Sequence, residues 1–156
     1  MKKLFTMILF LSILIVGCNQ KNQRESDNVT SSTNPPKLTV TVDNKSITGV
    51  LGTYSWTVDN GDGTETSIQS DSEAPPELAK DQKEPLNIKP SSSIILNFKN
   101  EPKEYIVTLW KDNIKNKQEV IDGEIIAPEE KGSFVYEVFA TWKEGTAYYA
   151  FSVNIE

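Results

Sequence analysis

The densest set of oxygen ligands in the chain is Asp59-Asn60-Gly61-Asp62-Gly63-Thr64-Glu65. Carboxylates and amides spaced around glycines are what a hard cation such as Ca²⁺ takes. Aligned on an EF-hand loop, Asn60, Asp62 and Gly63 fall at its third, fifth and sixth positions. Val58 then stands at the first and Gln69 at the last, so both end carboxylates are missing. The same residues suit a tight β-turn, because Asn-Gly and Asp-Gly supply the positive φ that a hairpin needs. Both readings stay open on sequence alone.

The motif opens a wider acidic stretch. Residues 59–84 hold eight acids, including Asp59, Asp62, Glu65, Asp71 and Glu73, against Lys80 and Lys83. Read as a long excursion between strands, 59–84 is either a contact surface for a cationic partner or metal, or a solvated loop that keeps the domain soluble. Asp59, Asp62, Glu65, Asp71 and Glu73 are the candidate contacts. Nucleic acid is disfavoured, because phosphate binding needs clustered Lys or Arg. Aromatics give a second candidate surface. Trp56 and Trp142 share parity with the apolar positions of their segments and read as core. Trp110 and Tyr148 take the opposite parity to Leu109 and Tyr149, which makes them candidates for an exposed contact with a glycan or protein.

Catalytic chemistry finds few handles. The chain has no His and one Cys, so His general bases, Ser-His-Asp triads and Cys-cluster zinc sites are excluded, as is an intramolecular disulfide. No Ser stands three residues before a Lys, and no glycine-rich phosphate loop ends in Lys-Ser/Thr. A carboxylate pair for hydrolysis remains formally open, with no way to choose it among 22 acids. The expectation is a protein that is not an enzyme and needs no cofactor.

The single Cys carries its own signal. Met1-Lys2-Lys3 is a short positive segment, and Leu4 to Val16 is apolar except for Thr6 and Ser12. Such a run is short of the roughly 30 Å hydrocarbon core and reads as a signal-peptide core. Ile15-Val16-Gly17-Cys18 then resembles a bacterial lipobox. The resemblance implies a signal peptide over 1–17, cleavage before Cys18, and covalent diacylglycerol on the Cys18 thiol. It implies an extracytoplasmic lipoprotein held on the cell membrane by two chains, each buried CH₂ contributing about 0.8 kcal/mol. Loss of Lys2 and Lys3 with the leader takes the formal charge from −6 to −8.

Residues 18–36 are polar, with Val29 as the lone aliphatic and Pro35-Pro36 at the end. This composition predicts a disordered tether, since it cannot bury enough surface to offset its ordering entropy. From Lys37 to Glu156 the period is two. Leu38, Val40 and Val42 alternate with polar residues, as do Tyr54, Trp56 and Val58; Ile94, Leu96 and Phe98; and Tyr105, Val107 and Leu109. The longest alternations are Phe134 to Trp142 and Ala147 to Ile155, joined by Lys143-Glu144-Gly145-Thr146 as a hairpin. Only Glu77–Glu84 could form a turn or two of helix.

About seven strands in one domain over 37–156 predict an all-β, antiparallel β-sandwich; a small open barrel is the alternative closure. The aromatic-rich final hairpin is similar to the last hairpin of immunoglobulin-like and fibronectin-III-like bacterial modules. Gly52-Thr53-Tyr54-Ser55-Trp56 and Pro85-Leu86-Asn87-Ile88-Lys89-Pro90 resemble segments of small lipoproteins of Gram-positive bacteria. In a sandwich of this kind, Tyr136 and Tyr149 would set a phenol against backbone at a corner. The expected function is a non-catalytic binding or interaction module of the envelope, whose partner is a protein, peptide or glycan. The alternatives are a metal- or small-ligand-binding lipoprotein using the acidic 59–84 loop, and a small carboxylate-dependent hydrolase.

Overall fold

The computed structural model describes residues 32–112 and 114–156. Among these residues eleven strands form: β1 (Leu38–Val42), β2 (Lys45–Thr48), β3 (Val50–Asp59), β4 (Glu65–Ser70), β5 (Leu86–Ile88), β6 (Ser93–Phe98), β7 (Glu104–Lys111), β8 (Ile114–Gln118), β9 (Glu124–Ile126), β10 (Gly132–Thr141) and β11 (Gly145–Ile155). The helical part is a single turn, α1 (Pro75–Leu78), running into a 3-10 turn over Ala79–Asp81. Among the described residues no helix is long and apolar enough to cross a membrane.

The strands make a β-sandwich. A small sheet has the order β2-β1-β6-β9, and a large one has the order β4-β3-β11-β10-β7-β8, with the short β5 pairing parallel to the end of β11. Two separate sheets replace the barrel alternative. The strict alternations explain the layers. Phe134, Tyr136, Val138 and Ala140 of β10 face inward with Ala147, Tyr149, Phe151 and Val153 of β11, opposite Leu38 and Val40 of β1 and Ile94 and Leu96 of β6. All twelve are buried. Tyr136 stacks on Phe151 at 5.0 Å between centroids, and Trp142 meets Trp56, Phe98 and Tyr149 edge to face at 5.5–6.4 Å. Such pairs each add about 0.5–1.5 kcal/mol beyond the area they bury.

One end of the sandwich gathers the start of the described chain, the β3–β4 turn and the β10–β11 turn. Trp56 Nε1 donates to Ser32 O and Trp142 Nε1 to Asn100 O, both at 2.9 Å. The packed part therefore begins ahead of Lys37. Pro35 and Pro36 are buried, and the Pro36 carbonyl accepts a bond from Tyr149 OH. The predicted tether thus reaches residue 31 at most before packing begins. Its remainder, the leader 1–17 and Cys18 lie outside the described residues.

The acidic stretch 59–84 is not one long loop. Residues 65–70 form β4, paired along its length with β3 from Asp59↔Glu65 to Tyr54↔Ser70. Sequence periodicity passes over β4 because Ile68 is its only large apolar residue. Its identity as a strand comes from β3, whose backbone groups it satisfies. The helical turns fall at 75–81, starting two residues ahead of the expected segment, with Pro75 and Pro76 in the first turn, where a missing N–H costs nothing.

Candidate functional site

The motif Asp59–Glu65 folds as the β3–β4 turn. Gly61 and Gly63 take φ of 75° and 85°, the values the turn reading requires. Asp59 Oδ1 accepts from Gly61 N–H at 2.8 Å, and Asp62 Oδ1 accepts from Thr64 N–H at 2.9 Å and Thr64 Oγ1 at 2.6 Å. The Thr64 hydroxyl, with its backbone N–H, holds the Asp62 carboxyl below the usual carboxylate range. These oxygens are spent on shaping the turn. Among the described residues no three acids converge on a point where a metal could sit. Asp59, Asp62 and Glu65 stand at this turn, and Asp71 and Glu73 lie beyond the far end of β4, so the five candidate acids do not form one site.

The outer face of the large sheet brings other candidates together. In the middle of β10 the outward residues are Val135, Glu137 and Phe139. Their neighbours are Trp110, Thr108 and Ile106 on β7, and Ser152, Ala150 and Tyr148 on β11. α1 and the turn after it cover part of this face, seating Leu78 and Ala79 on Ala150, Val50 and Val135. Gly52 of β3 makes the seat possible, since a Cβ there would stand 2.7 Å from Leu78 Cδ2 and 2.8 Å from Ser72 Oγ. Ser72 is clamped to the sheet by reciprocal bonds, Thr53 N–H to Ser72 Oγ at 2.9 Å and Ser72 N–H to Thr53 Oγ1 at 3.1 Å.

A cleft of about 220 Å³ opens between this covering segment and the sheet. Thr53, Ser72, Glu73, Leu78, Glu137 and Tyr148 line it. Glu73 and Tyr148, singled out separately from sequence, thus meet at one place. Beyond the cleft one apolar row crosses the face, with Thr108 and Glu137 on one side and Glu104, Thr141 and Thr146 on the other. Ile106, Phe139 and Tyr148 form one cross-strand row, with Ile106 42% and Tyr148 36% exposed and the Phe139 and Tyr148 rings 4.6 Å apart.

Trp110 lies on the same face, as its parity requires, but its indole is engaged. Nε1 donates to Glu137 Oε2 at 2.9 Å, and Lys115 Nζ sits 4.1 Å above the ring. Trp110 therefore fixes the Glu137 carboxylate beside the cleft and is itself half-buried. Glu137 and Phe139 were not among the sequence candidates. The available signal was a lone acid at an outward position of a long apolar strand, between Tyr136 and Val138. Trp56 and Trp142 are buried, as expected.

No protein-family model, no curated protein and no solved structure matches the chain.

Proposed function

We propose that this chain is a lipid-anchored, extracytoplasmic protein whose immunoglobulin-like sandwich serves as a non-catalytic binding module of the cell envelope. Membrane attachment rests on Cys18 at the end of its lipobox-like sequence. The contact surface is the outer face of the large sheet, and the carrying observation is the row Ile106–Phe139–Tyr148 beside the Glu73–Glu137 cleft. Apolar residues aligned on a regular sheet face and rimmed by polar groups are what a recognition patch needs. The flanking carboxylates favour a neutral or cationic protein, peptide or glycan partner over an anionic one.

The full chain, displayed on its native membrane, should retain a specific envelope component after chemical cross-linking. Tyr148→Ala and Ile106→Ser should each lose it at unchanged melting temperature. Retention of the same component by both variants would refute this surface. Metabolic fatty-acid labelling should mark wild type and not Cys18→Ala; equal labelling would remove the anchor independently of the contact face.

One observation favours a different class. Glu73 and Glu137 line the same cleft, the arrangement a carboxylate-dependent glycoside hydrolase would use. Turnover of an envelope glycan that stops in Glu137→Gln would identify that activity; binding without turnover supports the module.

A further inference from the structure

Among the described residues the large sheet ends in two unpaired edges, β4 and β8, and they carry opposite charge. β4 reads Glu65-Thr66-Ser67-Ile68-Gln69-Ser70, with Asp59, Asp62 and Asp71 close to its ends and no Lys or Pro within it. β8 reads Ile114-Lys115-Asn116-Lys117-Gln118. Lysines on an edge strand discourage pairing with a neighbour. Here they discourage a second β8, while β4 bears no such guard.

The backbone groups that each edge presents follow from the alternation of antiparallel ladders. Thr57 N–H bonds to Glu144 O at 2.8 Å, so Ser55 and Thr57 turn their backbone groups to β11, and Trp56 and Val58 turn theirs to β4. Their partners Ile68 and Thr66 therefore bond inward, and Glu65, Ser67 and Gln69 direct N–H and C=O outward. On the other side, Trp142 N–H bonds to Gly145 O at 2.8 Å and sets the phase across β10 and β7. Leu109 and Val107 then bond to β8, which leaves Lys115 and Lys117 with outward-pointing backbone groups. The side chains of both outward sets lie on the outer face of the sheet.

Charge discriminates among the three possible edge pairings. Joining β4 to a second β4 brings two acidic stretches together, and joining β8 to β8 sets Lys115 against Lys117; like charges directly opposite destabilise a pair. β4 against β8 is the complementary case. Direction agrees as well. The path β4-β3-β11-β10-β7-β8 alternates over an even number of strands, so a second copy placed alongside in the same orientation presents its β4 antiparallel to β8.

The geometry points to head-to-tail self-association, in which β4 of one copy adds to β8 of the next, with Glu65 opposite Lys117 and Ser67 opposite Lys115. In that register the outward N–H and C=O groups of both strands meet, and an acid–base pair forms on the outer face. The contact is heterologous, so each pair retains one free β4 and one free β8. It does not depend on the lipid anchor or on the cleft.

Full-length chain carrying Glu65→Cys together with Lys117→Cys tests the register in the membranes of a bacterial host. Directly opposed residues of a hydrogen-bonded pair sit about 5.5 Å apart at Cα, within reach of a disulfide. Mild oxidation should give a ladder of covalent dimers and larger species on a non-reducing gel, which neither single variant gives. Cys18 is common to all the chains and serves as the background. A charge series supplies a second measurement on purified full-length protein. Lys117→Glu should weaken self-association at least tenfold by sedimentation, and adding Glu65→Lys should restore it. A ladder absent from the double variant, a ladder equally strong in a single one, or a charge swap that fails to restore association would overturn the proposal.

Discussion

Tyr149 and Tyr136 are both fully buried on the inner face of the large sheet, yet their hydroxyls differ in what they meet. Tyr149 OH donates to the Pro36 carbonyl across 113 residues of sequence, and Tyr136 OH has no partner among the described residues. A buried hydroxyl that makes its bond contributes, whereas one that makes none bears its desolvation cost alone. Tyr149→Phe should therefore lose about 1–2 kcal/mol in urea unfolding. Tyr136→Phe should be neutral or stabilising by up to about 1 kcal/mol, because the ring stacked on Phe151 remains. A large loss in Tyr136→Phe would show that its hydroxyl has a bonding partner. From sequence both tyrosines carry the same expectation, a phenol against backbone. Parity places the ring indoors, but only the path of residues 32–36 decides which hydroxyl finds a carbonyl.

Between Ala150, opposite Val50 at the start of β3, and Val153, opposite Leu86 at the start of β5, the edge of β11 has no strand partner, and Ser152 directs its backbone groups into the gap. The side chain of Gln82 fills it: Ser152 N–H donates to Gln82 Oε1 at 2.8 Å, and Gln82 Nε2 donates to Ser152 O at 3.0 Å. An amide side chain thus stands in for a rung of the ladder, and it pins the turn after α1 to the sheet. Gln82→Ala should cost roughly 1–3 kcal/mol, since both backbone groups lose their partner. It should also raise hydrogen exchange at the Ser152 amide ahead of its β11 neighbours; unchanged exchange there would contradict the role. Elements of this kind explain what was legible beforehand. β1, β3, β6, β7, β10 and β11 announce themselves because each has a face turned to the core and an apolar residue at every second position. β2, β4 and β8 lie on edges, where side chains meet water on both faces, so their sequences carry no such period, and β9, an edge strand of three residues with only Ile125 buried, is too short to show one. The cleft is legible only in part for the same reason. Glu73 and Tyr148 stood out by composition and parity, but their meeting depends on α1 folding back over Gly52 and Ala150, which no local pattern encodes.

For the molecule as a whole, the absence of His removes the side chain that ordinarily titrates near neutrality, so stability should stay level from about pH 6 to 9. Burial pushes the Tyr136 and Tyr149 phenols above their ordinary value of 10.0. In the unfolded chain they ionise at about pH 10, while in the folded protein they stay protonated. The unfolded state then binds fewer protons, and stability present below pH 10 is lost as pH rises beyond it. Thermal melts between about pH 9 and 11 should show this decline, and the double variant Tyr136→Phe, Tyr149→Phe should decline less steeply. An identical slope in the two proteins would place the alkaline sensitivity elsewhere. The bonds from Trp56 to Ser32 and from Tyr149 to Pro36 have a mechanical consequence. They tie the entering chain to the large sheet just before β1 enters the small sheet between β2 and β6. Tension on the N-terminal side is therefore shared by both sheets. Along β1 it loads the rungs to both neighbours in shear, all at once, instead of peeling them apart singly. If the chain hangs from its N-terminal end, as the proposed anchor requires, it resists pulling at that end.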